Sequence, residues 1–254
     1  MRVENSFVPV RGVGEKTERR LWRKGVTDWD CFEERGENVV GDTQHDRVLS
    51  YIDEARDALD ADDASFFGET FPDGELWRMY TNFEERACFF DIETTGLSPE
   101  RNVVTTASFH LNGKTTTLVR GDDLTPENVR AVLDDAALVV SYNGRRFDAP
   151  FVEKNLGVEF NLPHVDLMYP CRRLDLTGGL KTVEETLGVG RGDEVDDVDG
   201  REAVRLWHAY EDGDTAALER LIEYNRYDAE NLRSVLDAVH DRLHDEIFES
   251  ACPP

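Results

Sequence analysis

Apolar and polar positions change their period along this chain. Residues 1 to about 40 read as two short helices around a Gly turn. Asp42 reads as an N-cap, and Val48, Ile52, Ala55 and Leu59 then recur at helical spacing through "TQHDRVLSYIDEARDAL". The following "DADDASFFGETFPDGELWRMY" keeps no clear period and reads as an irregular, acidic and aromatic connector. Near Glu85 the pattern turns strand-like, with strands predicted over 87–92, 103–110 and 114–120. Asn112-Gly113, between the second and third, is a strong hairpin signal. A helix from Thr125 to Asp135, the strand "ALVVSY" and a helix beginning near Phe147 come next. The last third is helical, with "GREAVRLWHAYEDG" and a long helix from Thr215 to about Leu243. An antiparallel three-stranded opening followed by alternating helices and strands predicts an α/β domain with a mixed sheet flanked by helices. The predicted division is a helical module over 1–80 and an α/β domain over 81–254.

Three stretches place acids inside apolar sequence. "ACFFDIETTGLSP" is a buried-looking strand that ends in Asp91 and Glu93. Strand side chains alternate, so those two carboxylates share one face and Ile92 takes the other. "LVVSYNGRRFDAPFV" gives a strand, a turn containing Asn143 and Gly144, and a helix with Asp148 near its start. "LIEYNRYDAENL" sets Tyr224 and Asp228 four apart, on one helical face. A carboxylate in such surroundings is costly unless paired or bound to metal. Singly, Asp91 reads as a strand-end acid, Asp148 as an N-cap and Tyr224 with Asp228 as a solvated face. Jointly those readings require three coincidences, and convergence on a cation is the simpler account.

Taken together, "FFDIETTGL", "YNGRRFDAPFV" and "YNRYDAENL" resemble the three motifs of the DEDD 3′-5′ exonucleases, Tyr subclass, on a ribonuclease H-like fold. The second is similar to its counterpart in family B DNA polymerase proofreading domains. The overall likeness is to YprB-type exonucleases, including haloarchaeal forms. The resemblance covers residues 87 to about 236. It implies that Asp91, Glu93, Asp148 and Asp228 hold two divalent cations, Mg²⁺ or Mn²⁺, for phosphodiester hydrolysis. It further implies that Tyr224 orients the attacking water, and that Thr94, Thr95, Gly96, Leu97, Asn143 and Phe147 meet the end of a DNA or RNA strand. The rival readings are a non-catalytic nucleic-acid-binding protein on the same fold and a structure-specific endonuclease.

Other chemistry-bearing residues read as structural. Asp166 in "LPHVDLMYPCRR" is expected to end a short strand and bond backbone, with His164 beside it. His240 and His244 stand at i, i+4 spacing that can bind zinc, but no third ligand is in view and an exposed helix face is expected. "GVGRGDEVDDVDG" follows no strand, so its Gly-x-Gly reads as an acidic surface loop and not a dinucleotide loop.

Charge then alters the expected partners. The chain carries 54 acids against 29 bases, a net of −25, with 39% hydrophobic residues. Such acidity with a core-forming apolar content suits a folded, halophilic surface. At about 1 M salt the Debye length is ~3 Å, so a nucleic-acid partner is compatible with it. Against this background, Arg11, Lys16, Arg19, Arg20, Arg23 and Lys24 crowd between residues 11 and 24, with only Glu15 and Glu18 opposing them. "VRGVGEKTERRLW" resembles a helix-hairpin-helix motif, which implies that Arg11, Gly12, Gly14 and Lys16 approach a phosphate at a helix start. No secretory or membrane-spanning run is evident, and Cys31, Cys88, Cys171 and Cys252 are dispersed, so a reduced cytoplasmic protein is expected.

Overall fold

The computed structural model describes residues 1–190 and 198–253. Part of the acidic stretch after Gly190 therefore lies outside the described residues. The chain packs as two compact units, one of Met1–Glu84 with Ala238–Pro254 and one of Glu85–Asp237. The segment 238–254, assigned by its pattern to the α/β domain, thus packs with the N-terminal helices. Among the described residues no helix is long and apolar enough to cross a membrane.

The first unit is helical. It contains α1 (Glu15–Arg23), α2 (Trp29–Arg35), α3 (Asp42–Asp60), α4 (Ala64–Thr70) and α5 (Tyr80–Phe83). Two expectations are corrected. Gly41, not Asp42, is the N-cap of α3. The supposedly irregular connector is also helical: Asp63 accepts hydrogen bonds from the N–H groups of Ser65 and Phe66 and so starts α4. A 3₁₀ turn over Asp73–Met79 then leads into α5. Phe67 and Phe71 bury one face of this segment, which its many acids had masked in the sequence.

The second unit holds a five-stranded mixed sheet in the order β3-β2-β1-β4-β5. Its strands are β1 (Ala87–Thr94), β2 (Val104–Leu111), β3 (Lys114–Val119), β4 (Leu138–Ser141) and β5 (His164–Asp166). β1, β2 and β3 pair antiparallel, whereas β4 pairs parallel with both β1 and β5. Asn112 (φ +50°) and Gly113 (φ +71°) form the β2–β3 turn, where the left-handed backbone favours these two residues. The helices are α6 (Pro126–Leu133), α7 (Asp148–Leu156), α8 (Met168–Arg173), α9 (Leu180–Leu187), α10 (Gly200–Glu211) and α11 (Thr215–Leu243).

Strand alternation sorts β1 onto its two faces. Cys88, Phe90 and Ile92 join Val129, Phe151 and Val152 in a core beneath α6 and α7. A second apolar cluster joins Ala203, Leu206 and Trp207 of α10 to Leu221 and Tyr224 of α11. Asp91 and Glu93 point away from the first core, as the alternation requires.

Candidate metal centre

Asp91 and Glu93 stand at the carboxyl end of β1, where a register shift between Glu93 and Thr94 ends the regular pairing with β2. Asp228 comes from α11. Each of the three offers a carboxylate oxygen within 4.8 Å of the others, and no other such group of His, Cys, Asp and Glu occurs among the described residues. Glu93 and Asp228 are buried and Asp91 is half-buried. Burial raises the Asp91 carboxyl well above the usual range, and the charges of Asp228, Asp148 and Glu93 raise it further. An all-oxygen, anionic donor set of this kind fits a hard divalent cation better than zinc or copper.

Asp148 lies beside this group and not inside it. It is 4% exposed, and its Oδ1 accepts the Ile92 N–H at 3.2 Å. Burial pushes its carboxyl up to about 7, with Asp166 and Asp228 adding to the rise. The turn that delivers it is tightly built. Asn143 adopts φ +64°, a left-handed conformation that Asn tolerates. Asp166 accepts N–H bonds from Asn143 (2.7 Å), Arg145 (3.3 Å) and Met168 (3.1 Å), the backbone role expected of it. His164 Nε2 lies 2.7 Å from Ser141 Oγ, and burial lowers its pKa to about 3. Gly144 is buried against Ser141 and Asp148, so its lack of a Cβ permits the close approach.

Tyr224 sits one helical turn before Asp228, 8% exposed, with its ring in the α10–α11 cluster. Its neighbour Asn225, absent from the sequence-based candidates, is wholly buried and donates from Nδ2 to Asp91 Oδ2 at 2.8 Å.

Beside Glu93 opens a cavity of about 610 Å³, lined by Thr94, Gly96, Leu97, Phe147, Arg201 and Val204 among others. Thr94 Oγ1 donates to the Gly96 carbonyl at 2.7 Å, and Thr95 exchanges two 3.0 Å bonds with the Val103 backbone. These bonds hold a turn that projects Leu97 outward at 86% exposure, a large apolar side chain standing in solvent. Thr95 and Asn143 do not line the cavity, while Arg201 does and was not singled out by sequence.

In the helical unit, Arg11, Gly12, Gly14 and Lys16 are all exposed. Gly12 takes φ +93° and its carbonyl accepts from Gln44 Nε2 at 2.7 Å; Gly14 is the N-cap of α1. The turn opens α1 and is preceded only by a 3₁₀ turn over Val3–Asn5. Glu18 is buried, accepts the Phe7 N–H at 2.7 Å and pairs with the buried Arg78 at 2.9 Å. It therefore does not offset the basic surface of α1. His240 is also buried, packed against Trp77 and Tyr80 and bonded to Thr81 Oγ1 at 3.0 Å, which corrects the expected exposed face. His244 begins a π-helical turn over His244–Phe248 and lies 3.1 Å from Glu249.

Among solved structures, this chain is similar to one described as the apo form of a nuclease, at 24% identity and TM-score 0.48, covering 65% of this chain and 77% of that one. It is similar to Brucella melitensis NrnC bound to pGG, at 22% identity and TM-score 0.48, covering 68% and 80%. It is also similar to the family B DNA polymerase of the hyperthermophilic archaeon Pyrobaculum calidifontis, at 22% identity and TM-score 0.47, where 62% of this chain spans 24% of the polymerase. No curated protein sequence matches. The sequence profile of the RNase_H superfamily matches residues 88–240, from β1 through most of α11. That match takes in more than half of the chain, which belongs to the ribonuclease H superfamily.

Proposed function

We propose that this protein is a metal-dependent 3′-5′ exonuclease of the DEDD type, Tyr subclass and YprB-like, acting on DNA or RNA. The observation that carries the reading is the meeting of Asp91, Glu93 and Asp228, contributed by elements far apart in sequence, beside an open cavity. Asp91, Glu93 and Asp228 would hold one cation and Asp91 would share a second that Asp148 supports. Bound Mg²⁺ or Mn²⁺ supplies charge that neutralises the scissile phosphate and activates water. The Tyr224 hydroxyl orients the attacking water by accepting its hydrogen bond. The water gives up a proton to solvent as its oxygen bonds to phosphorus, the P–O3′ bond breaks, and the departing O3′ takes up a proton, so a 5′-mononucleotide leaves and the shortened strand keeps a new 3′-hydroxyl. Leu97 and Phe147 would supply apolar contact for the terminal base, and Arg201 of α10, an exposed residue lining the same cavity, would meet the phosphates.

The basic surface of α1 would add sequence-independent phosphate contacts from the helical module. A cytoplasmic, salt-adapted setting accords with the net charge of −25. The test uses 5′-labelled oligonucleotides, free or blocked at the 3′ end, with Mg²⁺ or Mn²⁺. Stepwise shortening that a 3′ block prevents and Asp91→Ala abolishes supports the assignment. Cleavage of blocked or circular strands would replace it with an endonuclease, and unaltered cleavage by Asp91→Ala would remove the site.

A further inference from the structure

Asn225 poses a problem that packing does not solve. It lies on α11 between Tyr224 and Asp228 and is 0% exposed. Its Nδ2 donates to Asp91 Oδ2 at 2.8 Å, yet its Oδ1 is buried with no hydrogen-bond partner among the described residues. A buried acceptor without a partner is unfavourable, and an apolar side chain of similar size would avoid it. What an apolar residue could not do is donate to Asp91. In the ionised form that binds a cation, Asp91 can be faced only by the amide nitrogen, which is the orientation seen.

We infer that Asn225 is a positioning residue that fixes the Asp91 carboxylate for cation binding. By engaging Oδ2, it stops the carboxylate from rotating and leaves Oδ1 as the oxygen presented to the ion. An amide does this without adding charge. A Lys or Arg at this position would neutralise the cage that must attract the cation, and another carboxylate would repel Asp91. Partners that orient a metal ligand in this way change affinity by about 10- to 100-fold when removed. The inference rests on the proposed metal site, and it adds a residue outside the four acids and the tyrosine.

The test is Mn²⁺ binding to the full chain, followed by loss of the free-ion EPR signal, with thermal unfolding measured in EDTA. Asn225→Ala and Asn225→Leu both lose the donor. The expected result is Mn²⁺ affinity about 10-fold weaker or more in both. In EDTA, Asn225→Leu should unfold no earlier than the wild type, because the unpaired acceptor is gone. Activity at saturating Mn²⁺ should recover toward wild type, so the loss appears in the metal dependence. Should Asn225→Leu fail to fold, Asn225→Ala, which introduces no bulk and favours helix, carries the test. Wild-type affinity in either folded variant overturns the proposal. If the wild type binds Mn²⁺, Asp91→Ala does not, and both Asn225 variants do, Asn225 alone is excluded; if the wild type binds none, the metal site itself falls.

Discussion

Replacing Gly144 by Ala tests how the β4–α7 turn delivers Asp148. An added Cβ would lie 2.6 Å from Ser141 Cβ and 3.2 Å from Asp148 Oδ2, and closer still to Ser141 Oγ. Contacts below 3.0 Å force something to move, and little here can give way. Ser141 is buried at the end of β4 and bonded to His164, while Asp166 ties down Asn143 on the other side. The methyl must therefore displace the turn itself. Overpacking of this kind costs about 1 to 3 kcal/mol, which lowers Tm by roughly 2 to 12 °C in a chain of this size. Because α7 begins at Asp148, a shift of about 1 Å in the carboxylate is expected to reduce turnover by roughly 100-fold. Gly74→Ala is the control, since nothing among the described residues lies within 4 Å of its added Cβ; its cost should stay within about 0.5 kcal/mol. Urea denaturation at fixed salt and a mononucleotide-release assay read both effects. If Gly144→Ala matches Gly74→Ala in midpoint and in rate, the turn is not a rigid support for Asp148.

Three further outcomes are expected. His164 has a folded-state pKa of about 3, below its unfolded value, so the unfolded chain takes up the proton first as pH falls below about 6.5. Stability attributable to this residue is intact above that pH and is lost toward pH 3 at up to about 1.4 kcal/mol per pH unit. In His164→Gln the urea midpoint should fall less steeply over pH 4.5 to 6.5, and parallel curves would refute the half-buried, neutral imidazole. Leu97→Ala should leave stability within about 0.5 kcal/mol, because the side chain is 86% exposed, yet raise KM for oligonucleotides by roughly 10-fold through lost apolar contact; an unchanged KM would remove Leu97 from the cleft. Substituting Ser for the exposed Arg20 and Arg23 should reduce the slope of log affinity against log salt by about 1.4 to 1.8 on nucleic acid, and an unchanged slope would leave α1 as a structural cap.

Local rules carried much of this architecture. Alternation along β1 placed Asp91 and Glu93 together, the Asn112-Gly113 pair marked its hairpin, and Asp166 ended its strand with its carboxylate on backbone N–H groups. What was illegible depends on long-range packing. Asn225 meets Asp91 across 134 residues, so the partnership follows from how α11 is rotated against β1 and not from any local pattern. Arg201 reaches the cavity for the same reason, through the placement of α10. His240 looked solvated because Asp241 follows it in sequence. Its burial against Trp77 and Tyr80 instead reflects the end of α11 belonging to the helical unit. The acids of residues 60–75 hid a helix whose apolar face only tertiary packing reveals.

Anomalous diffraction from a crystal soaked in MnCl₂ tests the metal assignment most directly. The predicted result is anomalous density between Asp91, Glu93 and Asp228, about 2.1 Å from their oxygens as expected for small hard cations, with Asn225 still bonded to Asp91 Oδ2. Carboxylates held apart with no anomalous density among them would contradict it.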